Sequence, residues 1–248
     1  MASIQLERVS VAFPIYNGRS RSLKNRVLAA TTGGRIGRDA HNYVSIQALD
    51  EVSLVFEHGD RVGLVGHNGA GKTTLLRVLA GIYEPPSGKL KIAGNVAPLF
   101  DIGLGLDVKS TGYENIILRG LYLGLSRSGM RAKTEEIAAF SELGECLDLP
   151  LRTYSAGMYA RLAFAISTCI EPDILLLDEG LGISDPAFLA KARRCLTAFM
   201  DRAGIVVLAS HQEALLREVC TKAVLMKHGR VAATGGVDEI LALVRPDC

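Results

Sequence analysis

An α/β fold with a mostly parallel core sheet is predicted by three features of the sequence. Short apolar runs of strand length alternate with helical patterns from Leu49 onward, two such runs end in polar residues, and one leads straight into a glycine-rich turn. Arg61–Gly66 reads as a buried strand, Lys72–Ala80 as a helix, Asp173–Asp178 and Ile205–Ser210 as further strands. Between them, a helical stretch spans Glu114–Gly144 and a second helix starts at Ser155, with Met158, Leu162, Ile166 and Cys169 on one face before Pro172. Asp185-Pro186 caps a helix running to Gly204, Lys222–Thr234 is a hairpin turning at His228-Gly229, and Val237–Val244 closes the chain as a helix. Residues 4–16 alternate apolar and polar side chains, which predicts a strand at a sheet edge. In such folds ligands bind at the carboxyl ends of parallel strands.

Composition excludes several classes. Hydrophobic residues at 48% and charged residues at 22% describe a globular chain rather than a disordered one. A net charge of +2 is too small to argue for nucleic acid. The five cysteines (146, 169, 195, 220 and 248) are scattered and form no CxxC, so reduced thiols are expected rather than a metal or disulfide framework. No signal peptide is expected, since MASIQLERVS has no apolar core after a basic region, and no apolar run approaches the ~20 residues that span a bilayer. Residues 17–47 are read as a basic insertion: Arg19, Arg21, Lys24, Arg26, Arg35 and Arg38 face a single acid, Asp39, with a short basic helix expected around Ser20–Ala30. A solvated loop fits that composition, and so does a surface for lipid headgroups, a membrane partner or an acidic ligand.

Gly66-His67-Asn68-Gly69-Ala70-Gly71-Lys72-Thr73 fits GxxxxGK[ST] between a strand and a helix. The glycines let backbone N–H groups curl around a β-phosphate, and the helix start adds its positive end. Lys72 supplies a cation for β- and γ-phosphates; the Thr73 hydroxyl can ligate Mg²⁺, and Thr74 follows at the rim of the cradle. Asp178 and Glu179 close an apolar strand that cannot hide unpaired carboxylates. Asp178 suits Mg²⁺, and Glu179 suits a general base toward water. His211 follows the strand Ile205–Ser210 and could set an imidazole on the γ-phosphate. Ser155 caps a helix whose first N–H groups can meet an anion.

The order of these features — cradle, Tyr154-Ser155-Ala156-Gly157-Met158 before a helix, Asp178-Glu179, then a strand ending in His211 — resembles the ABC ATPase family over nearly the whole chain. The resemblance implies a P-loop NTPase ABC cassette with an N-terminal antiparallel β subdomain and a helical subdomain near 105–170, all within one domain over 1–248. It implies ATP and Mg²⁺, ATP hydrolysis, a head-to-tail homodimer in which Ser155 and Gly157 of one copy meet the γ-phosphate held by the other, and a separate transmembrane permease. The family's signature usually reads LSGGQ; Tyr154, Ala156 and Met158 depart from it. Phe13 falls where the family stacks an aromatic on adenine, with Tyr16 in reserve. Ser184-Asp185 falls at its inter-subunit loop, and Asp101 where most members have a glutamine that reaches Mg²⁺ and the permease.

YSAGM-YARLAFA, FDIGLGLD followed by TGYENI, and SDPAF are similar to the subfamily that exports bacterial surface polysaccharides on lipid carriers: O-antigen, capsule or teichoic acid. That likeness implies a lipid-linked glycan reached through the permease, and a peripheral location on the cytoplasmic face of the bacterial inner membrane. Some members add a C-terminal carbohydrate-binding domain; ending at Cys248, this chain is expected to be of the shorter type. The competing readings are a subunit of another ABC transporter, or a soluble ABC-type ATPase. Members of the latter class generally carry two cassettes or a long coiled coil, neither of which this sequence has.

Overall fold

A computed structural model describes residues 1–15, 36–38, 44–100, 103–178 and 186–244. The chain divides into two compact units, Met1–Gly94 with Val207–Cys248, and Asn95–Val206.

In the first unit, β1 (Ser3–Ile15), β2 (Ile36–Arg38), β3 (Val44–Glu57) and β5 (Ser87–Ala93) form an antiparallel sheet in the order β2-β3-β1-β5. Alternation in β1 has the predicted consequence: Ile4, Leu6, Val9 and Val11 are buried. Its expected place at a sheet edge is corrected, because β1 pairs with β3 on one side and β5 on the other. Edge position depends on long-range pairing, which alternation does not encode. Arg8, at φ 48°, marks the irregularity between Leu6 and Val9.

The same unit holds β4 (Arg61–Val65), which lies between β9 (Lys222–Lys227), parallel to it, and β8 (Ile205–Ala209). β8 straddles the division, its first two residues counting with the second unit. β10 (Arg230–Gly236) returns antiparallel to β9 through His228 (φ 52°) and Gly229 (φ 80°), the left-handed pair that a two-residue hairpin turn needs. Helices α1 (Lys72–Leu79), α6 (Glu213–Val219) and α7 (Val237–Ala242) complete the unit; α1 touches β3 and buries Leu75, Leu76 and Leu79.

In the second unit, β6 (Val96–Pro98) runs parallel to β7 (Ile174–Leu177). The helical stretch expected over Glu114–Gly144 is two helices, α2 (Gly112–Tyr122) and α3 (Arg127–Ser141). Gly124 (φ 86°) ends the first, and the Ser126 hydroxyl accepts from Gly129 N at 3.1 Å to start the second. α4 (Ala156–Ser167) packs Leu162 and Ile166 with Ile116, Met130, Ile137 and Leu147 in one apolar cluster, with Met158 and Cys169 at its margin as the spacing predicts. α5 (Pro186–Arg202) follows β7.

Two readings differ in their bounds. β2 and the start of β3 occupy part of the span read as an insertion, and the basic helix at Ser20–Ala30 lies outside the described residues. Among the described residues, no helix is long and apolar enough to cross a membrane.

Candidate nucleotide site

Residues 66–71 form the turn that the motif predicts, and packing explains its glycines. Gly66 adopts φ 150°, and a Cβ there would lie 2.3 Å from the Met226 carbonyl oxygen on β9. Gly71 adopts φ 110°, and its Cβ would lie 2.8 Å from the Ala48 carbonyl oxygen on β3. The loop is tied down from behind: Gly229 N donates to Ala70 O at 2.8 Å, and Asp50 N to Gly229 O at 2.9 Å. α1 therefore starts from a glycine with no side-chain cap, and no acid occupies its first turn. A helix start of that kind presents backbone N–H groups and a positive dipole end to an anion.

Lys72 is buried, at 8% exposure. Its Nζ donates to Gly66 O at 2.6 Å and to His67 O at 3.3 Å, and lies 3.3 Å from His211 Nε2. An ammonium has donors only, so His211 accepts at Nε2 and carries its proton on Nδ1. The structure thus brings together Lys72 and His211, 139 positions apart in the sequence, inside one unit. His67 and Asn68 are exposed, as are Gly69 and Thr73; Ala70 and Gly71 are buried and Thr74 is half-buried. The His67 Nδ1–H donates to Asn68 O at 2.8 Å.

Two neighbours of this site were not foreseen. Tyr83 meets Phe13 edge-on with ring centroids 5.2 Å apart, and Arg77 Nη1 donates to its hydroxyl at 3.4 Å. Phe13 itself is 37% exposed, so ring surface remains for a base. His228, in the β9–β10 turn, sets its ring 5.0 Å from that of His67. Neither pairing has a local sequence signal, since both partners come from distant turns.

In the second unit, Asp178 follows the buried strand β7 and is half-buried. Ser155 is exposed and caps α4, its hydroxyl oxygen accepting from Met158 N at 3.2 Å. That leaves the hydroxyl hydrogen as a donor. A Cβ on Gly157 would meet only Ser155 Oγ, at 3.9 Å, so the helix start is open at that position. Tyr154, where the family usually has leucine, donates its hydroxyl to Cys146 O at 2.7 Å and anchors the turn ahead of the helix; burial raises the phenol to about 12. Glu179, Asp101, Tyr16, Ser184 and Asp185 lie outside the described residues.

Residues 49–182 match the ABC transporter family. The chain belongs to that family. It is 44% identical over 231 residues to an O-antigen export system ATP-binding protein, RfbE, of Yersinia enterocolitica, covering 93% of this chain and 97% of that one. A second O-antigen export system ATP-binding protein, RfbB of Myxococcus xanthus, is 40% identical over 92% of this chain, which spans 52% of that longer protein. The fold is that of a solved dimeric ATP-binding cassette bound to ADP and Pi, with a TM-score of 0.67 at 19% identity, covering 94% of this chain and 98% of the other. The α/β cassette expected from the sequence is thereby borne out, and the chain is an ATP-binding, ATP-hydrolysing member of the family.

The geometry of the cradle makes one direct prediction. Gly66→Ala should displace the loop from β9, since its Cβ would sit 2.3 Å from backbone. Strain of about 1–3 kcal/mol corresponds to a loss of ATP affinity of about 5- to 150-fold. A fluorescent-nucleotide titration checks it, and wild-type affinity would exclude that contact as a constraint.

Proposed function

We propose that this chain powers export of a lipid-linked, O-antigen-like polysaccharide through a separate transmembrane subunit, working as a homodimer at the cytoplasmic face of the bacterial inner membrane. The observation that carries the reading is the 44% identity to an O-antigen export ATP-binding protein, which extends over almost the full length of both chains. The cassette would be one domain over 1–248, with a helical subdomain near 105–170 and the basic insertion near 17–47. That insertion is a candidate surface toward lipid headgroups or the permease.

The proposed chemistry follows from the residues. The 66–73 loop binds the phosphates, and Phe13 stacks on adenine with Tyr83 behind it. Glu179 takes a proton from the attacking water, which displaces ADP from the γ-phosphoryl group to give phosphate. His211, held at Lys72, orients that water. Ser155 and Gly157 of the second copy donate to the γ-phosphate through the helix start they form.

Mg²⁺ suits the donors present: the Thr73 hydroxyl in the first turn of α1 and the Asp178 carboxylate after β7 are hard oxygen donors, and this ion needs few protein oxygens when phosphates supply the rest. Thr73 and Asp178 would hold it, with Asp101 as a further candidate. When bound, it neutralises charge on the phosphate oxygens.

The test is capture of tagged Glu179→Gln protein from gently solubilised membranes with ATP present. A multi-helix membrane protein with lipid-linked glycan in the same fraction is expected. A membrane partner repeatedly free of glycan would overturn the substrate, and recovery of ribosomes or DNA instead would overturn the transporter role.

A further inference from the structure

Arg119 on α2 is 2% exposed. Its Nη1 donates to the Leu104 carbonyl and its Nη2 to Ser167 Oγ at 3.0 Å, while its buried Nε has no hydrogen-bond partner among the described residues. Burial brings the guanidinium down to about 10, so it stays positive at neutral pH. Burying a cation in this way is expensive, and an apolar side chain of similar volume often packs as well or better. A buried polar atom left unsatisfied calls for a reason other than stability.

The partners of Arg119 suggest one. Leu104 lies in the stretch that follows β6, and Ser167 is the last residue of α4. Tyr159, near the other end of α4, reaches the same stretch. Its hydroxyl donates to Gly103 O at 3.1 Å, and a Cβ on Gly103 would lie 2.6 Å from that oxygen. One turn before Arg119, the two N–H donors of the fully buried Asn115 Nδ2 are shared among Asp107 O at 2.9 Å, Ser110 O at 3.1 Å and Thr111 O at 2.8 Å, and its Oδ1 accepts from Asp107 N at 2.7 Å. Residues 103–111 are thus held through their backbone by side chains of α2 and α4.

The two ends of this arrangement matter. Leu99 N donates to Leu176 O at 2.8 Å, so the chain leaves β6 at the sheet end where β7 presents Asp178. α4 begins at the exposed Ser155 cap.

We infer that Tyr159 and Arg119 are positioning residues that clasp the segment after β6 to α4, so that the strand end beside Asp178 and the helix start at Ser155 move as one piece. The inference rests on the ATPase reading of the chain. The clasp residues belong to the second unit and the 66–73 loop to the first, so the clasp is expected to act on turnover rather than on ATP binding.

The test compares ATP affinity, kcat and melting temperature in Tyr159→Phe, Arg119→Met, Gly103→Ala and the Tyr159→Phe/Gly103→Ala double variant. Tyr159→Phe keeps the ring and removes the bond to Gly103. Both it and Arg119→Met should lower kcat about five- to tenfold, the scale of a lost hydrogen bond, with ATP affinity within about twofold of wild type. Arg119→Met should melt no lower than wild type, because it removes an imperfectly satisfied buried charge. In the double variant the two effects should be non-additive, since the hydroxyl and the added methyl compete for one space. A lower melting temperature with unchanged kcat would overturn the clasp and leave a packing role, as would parallel loss of affinity and kcat. Additive effects would likewise separate Tyr159 from Gly103. Absence of turnover by the wild-type chain in the same assay would overturn the ATPase reading and the inference with it.

Discussion

Replacing Lys72 by alanine is expected to weaken ATP binding by about 100-fold or more and to leave no measurable hydrolysis. The side chain is buried, and its ammonium already sits at the mouth of the loop, donating to Gly66 O at 2.6 Å and His67 O at 3.3 Å. Its three N–H donors are therefore positioned before any phosphate arrives, which removes most of the ordering cost at the moment of binding. Losing a preorganised charged donor of this kind typically costs about 2.7–4 kcal/mol in the step where charge develops, or about 100- to 1000-fold. The substitution also leaves His211 without the donor 3.3 Å from its Nε2. His211→Ala should have a smaller effect on affinity, because that variant keeps the ammonium. Phosphate release and a nucleotide titration, with a melting curve to verify folding, measure both variants. Retained affinity in Lys72→Ala would overturn the cradle assignment.

The cradle was legible because its chemistry is local. A loop that must wrap a phosphate with backbone N–H groups needs glycine at set intervals, so the spacing itself carries the reading. The strands with buried faces were legible for a similar reason, as in Ile174–Leu177 and Ile205–Ala209, where every residue is buried. What escaped depends on contacts between distant segments. Nothing near Phe13 announces Tyr83, and nothing near Gly71 announces that the β9–β10 turn backs it through Gly229. The position of β1 inside its sheet, rather than at an edge, follows from pairing with β5, more than 70 residues later.

One miss had a readable signal. Gly124-Leu125-Ser126 combines a helix-terminating glycine with a capping serine two residues on, the punctuation that separates α2 from α3. Apolar periodicity on both sides of it masked the break. The signature departures gain a physical account as well. Tyr154 keeps its contact with the apolar cluster and adds a hydrogen bond to Cys146 O, which fixes the turn ahead of Ser155 without using the helix-start N–H groups. Met158 turns inward to the apolar cluster of α2, α3 and α4, so its side chain serves packing.

Glu179→Gln is expected to slow ATP hydrolysis by about 100- to 10,000-fold, the range for losing a general base, while ATP affinity stays near that of wild type. The separation follows from what each part of the chain supplies. Binding relies on the 66–73 loop and Lys72, which belong to the first unit, whereas Glu179 follows Asp178 in the second. Glutamine keeps the size of the side chain and can still hydrogen-bond a water, yet it cannot take the proton that the water must lose as it attacks phosphorus. In kinetic terms kcat falls and the affinity for ATP does not. A second consequence is assembly: if ATP closes two copies and hydrolysis opens them, the variant should elute as a dimer with ATP and as a monomer without it, measured by light scattering. Rapid turnover by Glu179→Gln would remove that residue from the proton transfer. His211, whose Nε2 already accepts from Lys72, would then serve as base only if that contact opened, and a water-mediated route through the phosphate oxygens themselves would become the reading to test.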